Sequence, residues 1–196
     1  MVNPDRRPPL PPSETRPEYR VEVLEHLDEK IFQEIYAVET QVFPEDFRLD
    51  EEDLKTSLEK SGSINVVLKN AEGTVVGFMA SAPNSEFYED FIEDDPEYGQ
   101  DADFQNEKDK LYVYDAAILE EARASGNFGK IFQATVEKAK EQGLKAITMH
   151  TRADELVGKL MQRMHGAKRL RVVERWMGNE PHDYLEVDLS PPEDQK

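Results

Sequence analysis

Residues 111–119 are a nearly continuous apolar run, Leu-Tyr-Val-Tyr-Asp-Ala-Ala-Ile-Leu, in which Asp115 is the only charged residue. Such a run lacks the polar alternation of a half-exposed strand and predicts a central β-strand that is covered on both faces. The chain must therefore supply elements for both sides of a sheet. A carboxylate in the middle of this strand is costly to bury without a partner, which makes Asp115 a candidate functional residue.

The sequence before and after this segment predicts further strands and helices. Alternating or β-branched runs predict further strands at 19–24, 64–69, 74–82, 144–150, 170–176 and 184–189. Apolar residues at helical spacing predict helices at 29–42, 50–60, 126–143 and 153–165. Their order predicts an α+β fold, an α/β/α sandwich around a mixed sheet, and 196 residues fit one such domain.

The first helix has a defined beginning and a defined apolar side. Asp28 is a typical N-cap residue, directly ahead of the periodic segment. The pattern then predicts an apolar stripe at spacings of four, three and four residues, made of Ile31, Ile35, Val38 and Val42. This stripe is expected to pack on the sheet.

Three segments fall outside this periodic pattern. Residues 1–18 are rich in proline, which fixes φ and removes backbone donors, and they predict a disordered tail. Residues 190–196 are polar, contain proline and form a second tail. Within the domain, at 19–189, residues 83–110 are dense in Asp and Glu but also hold aromatic residues. They predict an acidic insertion, for which a substrate lid and a variable surface excursion both remain open.

Charge and composition exclude several classes of function. A net charge of −18 opposes binding to nucleic acid phosphates, and no apolar run approaches the roughly 20 residues of a bilayer span. The acidity suits either a cationic substrate or simple solubility. The chain has no cysteine, and its four histidines are scattered, so we expect no metal site. We expect a cytoplasmic protein without nucleic acid or membrane partners.

A glycine-containing turn joins the central strand to the helix predicted at 126–143. It reads Arg123-Ala124-Ser125-Gly126-Asn127-Phe128-Gly129-Lys130. Free N–H groups and the positive end of the helix can hold a pyrophosphate there, and glycine lets the backbone approach closely. Taken alone, the pattern is more typical of an ordinary strand-to-helix turn than of a phosphate site.

This turn resembles the signature of the GNAT superfamily of N-acetyltransferases, which is Arg or Gln, two residues, Gly, one residue, then Gly or Ala. Arg123 and Gly126 match it, whereas Phe128 stands at the last position and Gly129 follows one residue late. The preceding Asp115-Ala116-Ala117-Ile118 is also similar to the family pattern. The resemblance spans about residues 19–189 and implies the GNAT fold, with a mostly antiparallel mixed sheet and about four helices.

The resemblance also implies acetyl-CoA, or another acyl-CoA, as cofactor. Its pantetheine arm would insert between the strand that ends at Ile118 and Leu119 and the strand that ends at His150, with the pyrophosphate on the turn. The cofactor-binding residues implied in this way are Ile118, Leu119, Arg123, Ala124, Ser125, Gly126, Asn127, Phe128, Gly129, Lys130 and Asp154.

In such enzymes an amine attacks the acyl thioester directly in a ternary complex. Asp115 is the leading candidate to contact or deprotonate the amine, a structural hydrogen bond being the alternative. Glu120 is either solvated surface or a base acting through water. The tyrosine that usually protonates the thiolate is replaced by Met161, so His165, Tyr114 or Tyr184 could serve, or no dedicated acid is used.

Three functions follow. The first is an N-acetyltransferase that acts on a primary amine, either a cationic small molecule or a lysine side chain. The second, favoured by Met161 and Phe128, is a non-catalytic acyl-CoA-binding or protein-interaction module. The third is an unrelated α+β domain without affinity for coenzyme A. An exposed sheet edge would also allow a homodimer, although no residue identifies one.

Overall fold

The computed structural model describes residues 18–92, 95, 97–98, 109–123, 126–153, 156–176 and 180–190. Within these ranges the strands are β1 (Arg20–Val23), β2 (Ile64–Lys69), β3 (Val75–Pro83), β4 (Lys110–Ile118), β5 (Ala146–Arg152), β6 (Lys168–Trp176) and β7 (Glu180–Asp188). They form one sheet of seven strands in the order β1-β2-β3-β4-β5-β7-β6. Neighbouring strands are antiparallel except β4 and β5, which are parallel. The predicted mixed sheet is confirmed.

Helices connect the strands at the predicted places. They are α1 (Glu29–Val42), α2 (Glu51–Leu58), α3 (Tyr88–Phe91), α4 (Glu120–Arg123), α5 (Asn127–Glu141) and α6 (Leu156–His165). In the described ranges α1, α2, α5 and α6 correspond to the four predicted helices, and α3 and α4 are single turns. No described helix has the length and apolarity needed to cross a membrane.

The helices cover both faces of the sheet, as the apolar character of β4 requires. On one face, α1 and α2 bury Phe32, Ile35 and Leu54 against Phe78 of β3; we call this the α1–α2 face. On the other face, α5 and α6 pack against the sheet in a second cluster that includes Phe132; we call this the α5–α6 face. β4 contributes side chains to both clusters.

The first helix begins as predicted, but its buried face is rotated about the helix axis relative to the predicted stripe. The Asp28 side chain accepts a hydrogen bond from the N–H of Ile31 at 2.8 Å, which confirms the N-cap. Phe32, rather than Ile31, lies in the centre of the buried face, together with Ile35, Val38 and Glu39. Ile31 and Val42 are only partly buried. The rotation brings the carboxyl group of Glu39 into the interior.

The described part of the predicted insertion packs on the sheet. Phe87 and Tyr98 are buried in a third cluster with Tyr112, Trp176 and Tyr184. Most of 93–108 lies outside the described ranges, as do 1–17 and 191–196 of the two tails, so the disordered N-terminal tail and the role of the insertion remain predictions. β7 begins earlier than the predicted residue 184, because its first residues pair with the end of β6.

Candidate active site

β4 and β5 separate halfway along their length. They pair from Lys110 to Val113 of β4, whereas β4 continues to Ile118. Tyr114 is an extra residue at the point of separation, because β3 pairs its consecutive residues Ala80–Ser81 with residues 115 and 113. A β-bulge of this kind bends its strand and increases the local twist. β4 therefore leaves β5 directly after their last paired residues.

The separated part of β4 is more accessible than the rest of the strand. Tyr114, Asp115 and Ala116 are half-buried, whereas residues 111–113 and 117–118 are buried. Backbone N–H and C=O groups that no strand partner satisfies can pair with an extended ligand. We call this gap between β5 and residues 114–118 of β4 the slot.

The turn after β4 is held by side-chain hydrogen bonds to its own backbone. Arg123 donates from Nε to the carbonyl oxygen of Ile118 at 2.8 Å. Asn127, which is fully buried, donates from Nδ2 to the carbonyl oxygen of Ala122 at 2.9 Å. These contacts fix the strand end relative to α5. Residues 124 and 125, the predicted contacts Ala124 and Ser125, lie outside the described ranges, as does Asp154.

The predicted anion site lies at the N-terminus of α5. Gly126 is its N-cap, with φ of 68°, a left-handed conformation that favours glycine. The N–H groups of the helix's first turn, from Asn127 to Gly129, precede the first helical hydrogen bond, which Lys130 donates to Gly126. A Cβ at Gly126 or Gly129 would meet no atom within 4 Å. The ammonium group of Lys130 lies at the same turn, 2.9 Å from Oδ1 of Asn127.

A groove of about 630 Å³ runs from this turn along the α5–α6 face. It lies between α5, the edge strand β1 and the end of α6, and its lining includes Val21, Val23, Gly129, Lys130, Met164 and His165. The groove and the turn share Gly126, Gly129 and Lys130. An elongated ligand with an anionic group at α5 therefore has room to continue beside the helix.

The predicted catalytic residues do not form one cluster. Asp115 interacts with Glu39 on the α1–α2 face. His165 packs its ring 4.6 Å from the Phe132 ring on the α5–α6 face, where burial lowers the pKa of the imidazole. Glu120 is exposed at the start of α4. The sheet therefore separates the Asp115 carboxyl group from His165.

Glu39 and Asp115 form a buried pair of carboxyl groups that bridges α1 and β4. Burial, and then the nearby charge of Glu39, raises the pKa of Asp115 well above its ordinary value. Burial also raises the pKa of Glu39, opposed by the N–H of Leu49, which donates to Glu39 Oε1 at 3.0 Å. Glu39 is only 1% exposed. Like charges this close favour a state in which Asp115 holds a proton and Glu39 remains the anion.

The hydroxyl group of Tyr114 belongs to the same cluster. Burial, followed by the charges of Asp115 and Glu39, raises the pKa of this phenol well above its usual range. Its side chain packs beside the Phe87 ring, with centroids 5.1 Å apart. The bulge thus turns both Tyr114 and Asp115 toward the α1–α2 face.

Met161 lies in the core rather than in a pocket. Its side chain is fully buried in the α5–α6 cluster. The phenol of Tyr184, another candidate acid, accepts a hydrogen bond from Asn84 at 3.3 Å within the third cluster. Among the described residues, no three His, Asp or Glu side chains come together as metal ligands would.

Two charged residues beside the third cluster, Asp95 and Arg171, were not among the residues predicted from the sequence. Asp95 Oδ2 contacts the guanidinium of Arg171 and lies 3.5 Å from His150 Nε2. The His150 ring stacks on Trp176, with centroids 3.6 Å apart. This buried network joins the described part of the insertion to β5 and β6.

No family model matches the chain, and no curated protein sequence does. Solved structures match it closely in shape. Ribosomal-protein-S18-alanine N-acetyltransferase from Escherichia coli has a TM-score of 0.65 at 10% identity, covering 91% of this chain and 99% of that one. A chain of the NatC complex bound to Gag peptide and CoA has a TM-score of 0.66 at 12% identity, with coverages of 88% and 99%. The loading GNATL domain of CurA from Lyngbya majuscula has 0.62 at 15% identity, with coverages of 88% and 98%.

These similarities extend over almost the whole of each compared structure. At such low sequence identities they establish the architecture, which is the GNAT fold. The resemblance that the turn sequence indicated is thereby confirmed at the level of the fold.

Proposed function

We propose that this protein is an N-acetyltransferase that transfers an acyl group, acetyl in the first instance, from acyl-CoA to a primary amine. The observation that carries the proposal is the presence of two features, the gap between β4 and β5 and the N-terminus of α5 that follows β4 in the chain. Together they suit a ligand with a narrow amide-containing arm and a pyrophosphate. The acetyltransferases with the same fold support this proposal.

The residues present fit coenzyme A. The backbone N–H groups at the start of α5 would hold the pyrophosphate, with the Lys130 ammonium group adding positive charge. The separated β4 backbone up to Ile118 and Leu119 would pair with the pantetheine amides. The groove lined by Met164 and His165 would take the remaining part of the molecule, which makes His165 a cofactor contact. Arg123, Ala124, Ser125 and Asp154 remain predicted contacts.

Bound acyl-CoA supplies the activated acyl group, whose carbonyl carbon forms a bond to the amine nitrogen as its bond to sulfur breaks. Asp115 is the proposed base in its ionised form, after it has lost the proton it shares with Glu39, because its raised pKa makes that carboxylate a stronger proton acceptor than an exposed aspartate. It would take one proton from the incoming ammonium group. The second proton lost by nitrogen neutralises the departing sulfur, so the reaction needs no dedicated acid at the position of Met161.

The acceptor is a cationic small molecule or a lysine side chain. The net charge of −18 favours the approach of a cation. The remaining alternative is an acyl-CoA-binding module without turnover, and the fully buried Met161 favours it, because a family acid is missing from α6. Turnover of a panel of amines, compared with Asp115→Ala, separates the two functions. Cofactor binding without any turnover would support the module.

Isothermal titration of coenzyme A and acetyl-CoA tests the cofactor site. Gly126→Glu places a carboxylate in the anion site, and we expect binding to be lost. Gly143→Glu is the matched control, because Gly143 also has a positive φ, of 78°, and open space around its Cβ position, but follows the opposite end of α5. It should bind like the wild type. A folded wild-type protein that binds neither ligand would refute the proposed function.

A further inference from the structure

The edge strand β6 concentrates positive charge in an acidic protein. The chain as a whole has a net charge of −18. In β6, by contrast, Glu174 is the single acidic residue among nine, and four residues are basic. The basic residues are Lys168, Arg169, Arg171 and Arg175. Because β6 is the last strand of the sheet, this charge lies along one of the sheet's two edges.

The outer side of β6 is accessible. β7 is its only partner among the described strands, so the N–H and C=O groups on its other side join no described ladder. α6 packs against β5 and β7, and two apolar side chains of β6, Leu170 and Val172, are 47% and 41% exposed. The edge therefore offers backbone hydrogen-bonding groups and apolar side chains together.

The fold neutralises the charge of β6 only in part. Arg171 is used within the fold, in its ion pair with Asp95 of the insertion. Arg169 contacts Asp183 at 3.4 Å, but its side chain is still 57% exposed. Arg175 is exposed and forms no ion pair with the described part of the chain. Arg169 and Arg175 thus remain available to an anionic partner.

We infer that the outer edge of β6 docks an extended acidic segment of a partner protein, which joins the sheet as an additional strand. The backbone of that segment would pair with the outer N–H and C=O groups of β6. Its carboxylates would face Arg169 and Arg175, and opposite charges on adjacent strands stabilise their pairing. Its apolar side chains would add contacts with Leu170 and Val172.

The same features disfavour two other occupants. A second copy of β6 would place two basic strands side by side, and like charges on adjacent strands are destabilising. A nucleic acid would use the positive charge, but it has no peptide backbone with which to extend the sheet. An acidic strand uses the charge, the backbone groups and the exposed apolar side chains at once.

The docking edge is separate from the slot. β7 lies between β6 and β5, so the edge is two strand spacings, about 10 Å, from the strand that borders the slot. A strand added outside β6 leaves the slot and the N-terminus of α5 uncovered. The inference therefore stands apart from the proposed function and is tested without coenzyme A.

Fluorescence anisotropy with a synthetic peptide tests the inference. The probe is a labelled octapeptide of alternating glutamate and valine, titrated with the full chain at low salt. The wild type should bind it, and Arg169→Gln combined with Arg175→Glu should raise the Kd at least about tenfold. Salt at about 0.3 M should also weaken binding. The same peptide with every backbone nitrogen methylated lacks N–H donors and should bind at least about tenfold more weakly.

Lys140→Glu is the matched control, because it reverses an exposed charge on α5, away from the edge. It should bind the peptide like the wild type. If the double variant fails to fold, Arg175→Glu alone carries the test, since Arg175 has no ion-pair partner to lose within the described fold.

Several results would overturn the docking edge. They are no binding of the acidic peptide to the folded wild type, equal affinity in the edge variants, and full binding of the methylated peptide. Tighter binding of a single-stranded RNA, lost in the same variants, would assign the edge to nucleic acid instead. Self-association of the wild type in sedimentation equilibrium, abolished by Arg175→Glu, would assign it to a second copy of the chain.

Discussion

The hydroxyl group of Tyr112 lies 2.8 Å from Nδ1 of His150, across the boundary between β4 and β5. The other ring nitrogen, Nε2, is 3.5 Å from Asp95 Oδ2. A neutral imidazole with its proton on Nε2 satisfies both contacts, because the phenol then donates to Nδ1 and the ring N–H faces the carboxylate. This arrangement ties the last paired part of the two strands to the described part of the insertion.

The His150 side chain should make the protein less stable as the pH falls below neutral. Its burial lowers the pKa from 6.5 to about 4, so the unfolded chain gains a proton that the folded protein does not bind until about pH 4. Between these values the free energy of unfolding should fall by about 3 kcal/mol from this residue. Urea denaturation from pH 8 to pH 4 measures the slope. In His150→Phe, which keeps a ring against Trp176, the free energy of unfolding should fall by about 3 kcal/mol less over this pH range than in the wild type. An equal fall in both proteins contradicts the assignment.

The ion pair between Asp95 and Arg171 should be strongly coupled. The two side chains are 3% and 17% exposed, so Arg171→Met leaves the buried Asp95 carboxylate without its cationic partner and should cost about 3–5 kcal/mol in unfolding free energy. Asp95→Asn in the same background should recover part of that loss. A double-mutant cycle by urea denaturation gives the interaction free energy of the two side chains. If the two changes in unfolding free energy simply add, the side chains are not coupled.

Gly158 of α6 should be intolerant of alanine because of one hydroxyl group. A Cβ there would lie 2.8 Å from Thr151 Oγ1, a buried oxygen without a partner among the described residues. Gly158→Ala should therefore lower the free energy of unfolding by about 1–3 kcal/mol. In a Thr151→Ala background the same change should instead raise it by up to about 1 kcal/mol, since alanine favours helix. Thermal denaturation of the four proteins decides between these signs.

Asp115→Asn should stabilise the protein at neutral pH. The raised pKa of Asp115 means that the unfolded chain loses a proton above about pH 4 that the folded protein keeps, so the wild type becomes less stable as the pH rises through this window. Asparagine removes this penalty and can still donate to Glu39. The variant should be more stable than the wild type at pH 7.5 and nearly equal at pH 4, by urea denaturation. A variant less stable at pH 7.5 would argue for an ionised, favourably paired Asp115.

The helices and strands could be predicted because each depends on a local pattern of apolar residues. The uniform apolar character of residues 111–119 identified the central strand, and α5 begins within one residue of its predicted start. The bulge at Tyr114 could not be predicted in the same way. In a strand that is apolar on both faces, one extra residue leaves no mark on the alternation.

Glu39 carried a signal that the sequence interpretation did not use. It lies one helical turn after Ile35, inside the apolar stripe, where a carboxylate is unusual. The predicted stripe consists of Ile31, Ile35, Val38 and Val42 and does not include Glu39. Asp95 and Arg171 carried no such signal, since 76 positions separate them and only the folded chain brings them together.

The short pairing between β4 and β5, four residue pairs in all, also divides the sheet into two groups of strands. α1 and α5 pack against β1 to β4, while α6 packs against the group formed by β5, β7 and β6. β3 and β4, and likewise β5 and β7, are joined by seven residue pairs each. A separation of strands at the boundary between β4 and β5 would therefore break fewer residue pairs than one at either neighbouring boundary.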